Sequence, residues 1–364
     1  AADFALAGAG RKAGLSFSRV EVAADHHPGS GQAVARGYHA LLRASPSSWR
    51  ALYLSPWAHR ALRAARGAYL DMGGARSLRE GVRRSGARVV VCPQAAVAAV
   101  FAEARRRGEL DIPVVSVLTD YGVHPFWADP PADLILAPDE KAVSELARLG
   151  VPRERLRSTG IPVHPAFASA PSREEARHRL ALPSAAPVVL LSGGGKGLGG
   201  LSRAATALLA ASPRAHLLVL CGANETLRGS LSAHREAGAR LRVFGPQPSE
   251  LVAVMMASSD LHLGKPGGLS AAESLAAGLP MVLTRPLPGQ EEDNAMRLVE
   301  LGAAKACSSP EEAAATVARL LDDRETLCVL RTAAAASGRS DAADHAAFEI
   351  AALANRPFSC YAWP

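Results

Sequence analysis

Short apolar runs separated by stretches of helical periodicity repeat along the whole chain. RVEVAAD (19–25), ARVVVC (87–92), IPVVSVLTD (112–120) and ADLILAP (132–138) read as strands. In the second half the same role falls to PVVLLSGG (187–194), AHLLVLCG (215–222), RLRVFG (240–245), DLHLG (260–264) and PMVLT (280–284). Between them lie the helical patterns DEKAVSELARLG (139–150), SRAATALLAAS (202–212), PSELVAVMMASS (248–259), the segment around Glu273, and PEEAAATVARLLDD (310–323). Gly150, with Pro152 just beyond, closes the first of these. Buried-type strands alternating with helices predict an α/β chain of parallel sheets.

The alternation falls into two halves, which sets the expected boundaries. A first Rossmann-like domain spans 1–165, a Pro-, Ser- and Ala-rich linker 166–186, a second Rossmann-like domain 187–340, and a helix or tail 341–364. The opening ADFALAGAGRKAGLSF reads as the back of a first helix leading into a strand. The first strand and glycine loop of a doubly wound domain are therefore expected to be missing.

Composition narrows the class without changing that picture. The chain has 364 residues, 48% of them hydrophobic and 21% charged, enough for two cores and typical of a globular protein. Its five cysteines form no C-x-x-C pair, so neither a disulfide framework nor a zinc site is expected, and a reducing compartment is. No signal peptide is expected, and no apolar run reaches the roughly 18 residues of a membrane span. The run VVVCPQAAVAAVFA (89–102) is interrupted by Pro93 and Gln94.

The net charge of +7 is unevenly spread. Residues 36–107 hold 14 arginines against Asp71, Glu80 and Glu103. Near residues 36–70 those arginines are interleaved with Tyr38, Trp49, Tyr53, Trp57 and Tyr69. Arginine beside interfacial aromatics suits an anionic membrane surface. Nucleic acid is the competing partner and a solvated basic face the plain alternative.

Three clusters follow strands and carry the candidate chemistry. SGGGKGLGG (192–200) contains a formal G-x-G-x-x-G match, so a dinucleotide site has to be weighed. That reading needs an acid at the end of the next strand, where Cys221 and Gly222 stand instead. A glycine turn still contacts phosphate through backbone N–H groups, and Lys196 adds charge. GKPGGLSAAESLAAGLP (264–280) sets adjacent glycines before a helix carrying one acid, the outline of an anion site. PLPGQEEDNA (286–295) supplies Gln290, Glu291, Glu292 and Asn294. Phosphate-facing backbone with hydroxyl-reading polar groups describes a nucleotide sugar.

The run VFGPQPSELVAVMMASSDLHLGKPGGLSAAESLAAGLPMVL…PLPGQEEDNA resembles the donor domain of family 28 GT-B glycosyltransferases. The likeness is to monogalactosyldiacylglycerol synthases and processive diacylglycerol glucosyltransferases. It extends through SGGGKGLGG, CGANETLRGSL, VVSVLTDYGVHPFWADPPADLILAP and STGIPVHPAF (158–167), covering about residues 20 to 325. It implies two Rossmann-like domains facing a cleft and an inverting transfer of hexose from UDP to a lipid such as diacylglycerol, with no metal or other cofactor. Glu273 would hold the ribose hydroxyls, and Gln290 with Glu291 would read the sugar. Gly194, Gly195, Gly267, Gly268 and Ser270 would face the diphosphate, with Phe244 near the uracil. Asn294 would either touch ligand or cap the following helix.

Deprotonation of the acceptor falls to Asp120 or His124 in TDYGVHPFW, with Asp25, His26 and His27 a weaker set and a loop or turn role the alternative. Relatives carry a first glycine loop ending in a histidine, whose expected absence leaves an inactive nucleotide-sugar-binding protein as a rival. A polyprenyl-linked sugar or secondary metabolite is the alternative acceptor, and an NAD-dependent oxidoreductase the rival of another class. The expected location is cytoplasmic, peripheral on the inner face of the plasma membrane, with no nucleic-acid partner.

Overall fold

The computed structural model describes residues 2–18 and 55–355. The expected strand 19–25, the candidates Asp25, His26 and His27, and residues 36–54 of the basic aromatic segment lie outside them. The chain divides into two compact units: residues 1–162, 287–290 and 342–364, and residues 163–286 and 291–341.

The first unit begins with helix α1 (Ala2–Lys12). Helix α2 (Pro56–Tyr69) starts on Ser55, whose hydroxyl accepts from the Ala58 N–H, and is carried by a kinked π turn into α3 (Ala75–Ser85). Strand β1 (Val90–Cys92) ends where Pro93 and Gln94 interrupt the apolar run, and α4 (Ala95–Arg106) takes up the remainder. Then come β2 (Val114–Val117), β3 (Leu134–Ala137), α5 (Glu140–Arg148) and β4 (Leu156–Ser158). Asp139 caps α5, accepting from the Ala142 N–H at 2.8 Å. The four strands pair in the order β1-β2-β3-β4, all parallel.

Alternation along these strands explains the layers. Val115, Val117, Leu134 and Leu136 point to one face, packing with Leu6 of α1 and Ile350 of the C-terminal helix Ala342–Ala354. Val114, Ile135 and Ala137 point to the other, packing with Phe101 of α4 and Leu146 of α5. A strand buried on both faces is mostly apolar, as these runs are apart from Ser116 in β2.

The second unit opens with α6 (Arg173–Arg179), within the stretch expected as a linker. It continues through β5 (Val188–Ser192), α7 (Leu201–Ala211), β6 (His216–Leu220), α8 (Glu225–Ser232), β7 (Leu241–Phe244) and α9 (Ser249–Ser258). Next are β8 (Leu261–Gly264), α10 (Gly268–Ala276), β9 (Met281–Leu283), α11 (Gln290–Glu300), β10 (Ala304–Ala306), α12 (Pro310–Asp322) and α13 (Arg324–Ser337). Asp260, buried just before β8, explains why α6 is no loose tether. It accepts from Arg177 Nη2 at 2.9 Å and the Val188 N–H at 2.8 Å, and pairs with Arg173 and with Arg331 of α13.

The six strands run parallel in the order β10-β9-β8-β5-β6-β7. Counted from β5, this is a doubly wound sheet that grows first one way and then the other. Its reversal lies between β5 and β8, and ligands of such sheets bind outside the carboxyl ends of the strands at that point.

Candidate functional site

Ser192 ends β5 and Gly264 ends β8, and the two are register partners. The glycine loop 193–200 and the Lys265–Gly268 turn therefore leave the sheet side by side at the reversal. The strands come close: a Cβ on Gly264 would stand 2.4 Å from the Ser192 carbonyl oxygen, an approach only glycine permits. Gly197 is the second such position. Its φ is +57°, and a Cβ there would lie 2.3 Å from the Cys221 carbonyl at the end of β6. Gly194 and Lys196 form a short 3₁₀ turn, with Lys196 exposed and open space above Gly195.

Helix α10 starts on Gly267 with no side-chain cap, so its first N–H groups have no intrahelical acceptor. Ser270 and Glu273, three residues apart, lie on one face of it. Glu273 is half-buried, and its carboxylate makes no hydrogen bond or salt bridge among the described residues. Burial pushes its carboxyl up to about 7. Thr284, just after β9, has a buried hydroxyl without a partner among the described residues, 3.1 Å from where a Cβ on Gly199 would stand.

Two residues that the sequence did not single out tie these parts together. Lys265 pairs through Nζ with Glu291 Oε1 of α11, and Glu291 is buried. The end of the lysine lies 3.4 Å from the Cβ positions of Gly194 and Gly267. It thus sets a cation between both glycine turns. His262 is wholly buried in β8, with Nε2 2.7 Å from Ser192 Oγ and Nδ1 3.1 Å from Ser274 Oγ. Because Ser274 donates to the Leu279 carbonyl, it accepts from Nδ1–H, and Nε2 accepts from Ser192. Burial lowers the ring to about 4, so it stays neutral and links the glycine loop to the Glu273 helix. The polar residue inside the apolar strand LHLG was the available signal.

The third cluster needs a correction. Asn294 does not cap the helix after it; α11 begins at Gln290, and Asn294 lies buried inside it. Its Nδ2 donates to the Pro266 carbonyl at 3.0 Å, anchoring the turn between β8 and α10. Asn294→Ala, which strands that carbonyl, should cost about 1–3 kcal/mol in urea unfolding, and an unchanged midpoint would contradict the anchor. Gln290 is exposed at the first position of α11. Phe244 is at the end of β7, two strands or about 10 Å from β5, with Arg242 Cζ 5.8 Å from its ring centre. Asn224 after β6 caps α8 through the Leu227 N–H, and no acid stands where a dinucleotide ribose would be held.

In the first unit Asp120 and His124 follow β2. His124 is buried, its Nδ1 accepts from the Phe126 N–H at 3.2 Å, and its ring packs against His59 and Phe126. It starts a 3₁₀ turn that buries Trp127. Asp120 is half-buried and partnered. Among the described residues no group of three or more His, Cys, Asp and Glu is arranged to hold a metal ion. None of their helices is long and apolar enough to cross a membrane.

Residues 7–163 match the family model of monogalactosyldiacylglycerol synthase, and residues 172–337 that of glycosyl transferases group 1. A processive diacylglycerol beta-glucosyltransferase of Staphylococcus epidermidis is 30% identical over 222 residues, 61% of this chain and 56% of that protein. Its Staphylococcus carnosus counterpart is 31% identical over 221 residues, 60% of this chain and 56% of its own. This chain therefore spans little more than half the length of the curated relatives it matches. Among solved structures, Staphylococcus aureus MnaA with UDP has a TM-score of 0.57 at 16% identity, over 76% of this chain and 79% of that one. Acinetobacter baumannii MurG has 0.52 at 20% identity, over 76% of each chain. These likenesses show a fold of the GT-B class.

Proposed function

We propose that this chain, whose two halves match the family models of monogalactosyldiacylglycerol synthase and of glycosyl transferases group 1, transfers a hexose from UDP to a diacylglycerol-type lipid with inversion. One observation carries the donor half of the reading. Two glycine turns, an uncapped helix N-terminus and Lys265 converge at the reversal of the second sheet, with Glu273 one helical turn further on. The turns and the lysine would face the diphosphate, Glu273 the ribose hydroxyls, and Gln290 the sugar. Glu291 would act chiefly through Lys265, which it holds.

In the proposed reaction the acceptor hydroxyl attacks the anomeric carbon as its bond to the UDP oxygen breaks, and the hydroxyl proton passes to a base. Charge arising on UDP would be met by the α10 N–H groups and Lys265, so the chemistry asks for no metal ion or other cofactor. His124 accepts at Nδ1, which in the neutral ring puts the proton on Nε2. That ring is a donor, and the base role falls to Asp120.

The names of the relatives support a lipid acceptor, and the arginine- and aromatic-rich segment near 36–70 is read as its dock on the inner face of an anionic membrane. Calorimetry tests the donor class. UDP should bind and NAD should not, whereas NAD binding in preference to UDP would replace this reading by a dehydrogenase.

A further inference from the structure

Strand β8 reads Leu-His-Leu-Gly, and the histidine breaks the apolar run. Leu261 and Leu263 point into the core of the second unit, so His262, one position out of phase, faces the other side of the sheet under α10. An imidazole and two hydroxyls are costly to bury unless they satisfy one another, and here they do. Ser192 Oγ donates to Nε2 at 2.7 Å, Nδ1 donates to Ser274 Oγ at 3.1 Å, and Ser274 Oγ donates to the Leu279 carbonyl at 3.1 Å. Gly264 keeps this reach open, since a Cβ there would stand 3.1 Å from Nε2. Apolar side chains of the same shape would serve stability as well. What the polar chain adds lies at its two ends.

Ser192 is the last residue of β5, and the glycine loop begins with the next one. Gly193 is folded against the far side of that loop, where a Cβ would meet the Leu198 carbonyl oxygen at 2.1 Å. Beyond it Gly194, Gly197, Gly199 and Gly200 all have positive φ, so the loop is built from the softest backbone available. At the other end Ser274 follows Glu273 in α10 and lies one turn after Ser270. The ring thus joins the root of one glycine turn to the helix that carries the candidate ribose acid.

We propose that His262 is a positioning residue for the sugar-nucleotide donor, holding the glycine loop and α10 at the spacing that lets one ligand meet both. This rests on the UDP-sugar reading above. A flat ring with a hydrogen bond on each side is a strut of fixed length. Without it the loop has to be ordered when the ligand arrives, and that ordering weakens binding. UDP spans both elements and loses affinity. Uridine lacks the phosphates and does not.

The test uses the full chain and the variants Ser192→Ala, His262→Asn and the two combined. Asparagine places its amide near the position of Nδ1, so it keeps Ser274 and falls short of Ser192. Calorimetry measures UDP and uridine, and thermal melting checks the fold. Each single variant should bind UDP about tenfold more weakly, with uridine binding unchanged. The double variant should lose no more than that, because every variant cuts the same link. If these proteins melt early, Ser192→Thr and Ser192→Val decide. The two share a shape and differ by the hydroxyl, so the threonine variant should bind UDP about tenfold more tightly than the valine variant. A wild type that does not bind UDP overturns the donor reading and this inference with it. A wild type that binds UDP overturns the inference alone if the variants bind it equally well, if UDP and uridine are lost alike, or if threonine and valine behave the same.

Discussion

Lys265→Met should destabilise the second unit by about 3–5 kcal/mol and weaken UDP binding in the same protein. The stability effect follows from Glu291. That carboxylate is buried, and its ammonium partner has a side chain only 18% exposed. Removing one member of such a pair strands the other charge in a poor dielectric, which typically costs about 3–5 kcal/mol. The binding effect follows from position, since the lysine reaches both glycine turns. Lys265→Met with Glu291→Gln separates the two consequences. The double variant should recover most of the stability, because no buried charge is left unpaired, while UDP binding stays weak. Urea unfolding and calorimetry read both. A single variant as stable as the wild type would contradict the buried pair, and a double variant that binds UDP normally would remove Lys265 from the donor site.

Glu273→Ala should weaken UDP binding by about 10- to 100-fold at pH 8. A hydrogen bond to an ionised carboxylate contributes about 1.5–3 kcal/mol, and about 1.4 kcal/mol is one factor of ten. The group also sets a pH dependence. Burial raises its carboxyl from 4.5 to about 7, so the folded chain without ligand holds this proton more tightly than the unfolded chain does. The stability gained is fully present below pH 4.5 and is lost as pH rises through 7. UDP binding runs the other way, because ribose hydroxyls donate to the ionised form. Affinity should rise with pH up to about 7 and level off above it, and Glu273→Ala should flatten that rise. Equal affinities of wild type and variant across this range would take Glu273 out of the site.

Much of this arrangement was readable because it depends on local pattern. The apolar runs marked the strands, and the glycine turns stood at their carboxyl ends, where an open sheet gathers its ligand. Partnerships across long separations were not readable. Lys265 lay in the cluster GKPGGLSAAESLAAGLP, but its role depends on a carboxylate 26 residues away. His262 works through Ser192, 70 residues earlier. Asn294 was weighed as a cap because QEEDNA was read as a loop. The acids Glu291, Glu292 and Asp293 in the first turn, where the helix dipole favours them, were the sign that α11 had already begun. In the same way 166–186 looked like a linker by composition, and only the buried Asp260 shows why its arginines belong to the second unit.

The most direct measurement is a single incubation of the chain with diacylglycerol in anionic vesicles and an equal mixture of UDP-glucose, UDP-galactose and UDP-N-acetylglucosamine. Lipid products are read by mass spectrometry. A glycosyl-diacylglycerol formed by the wild type and lost in Glu273→Ala is the predicted result. No sugar-bearing lipid, or product formed equally by Glu273→Ala, would contradict the account.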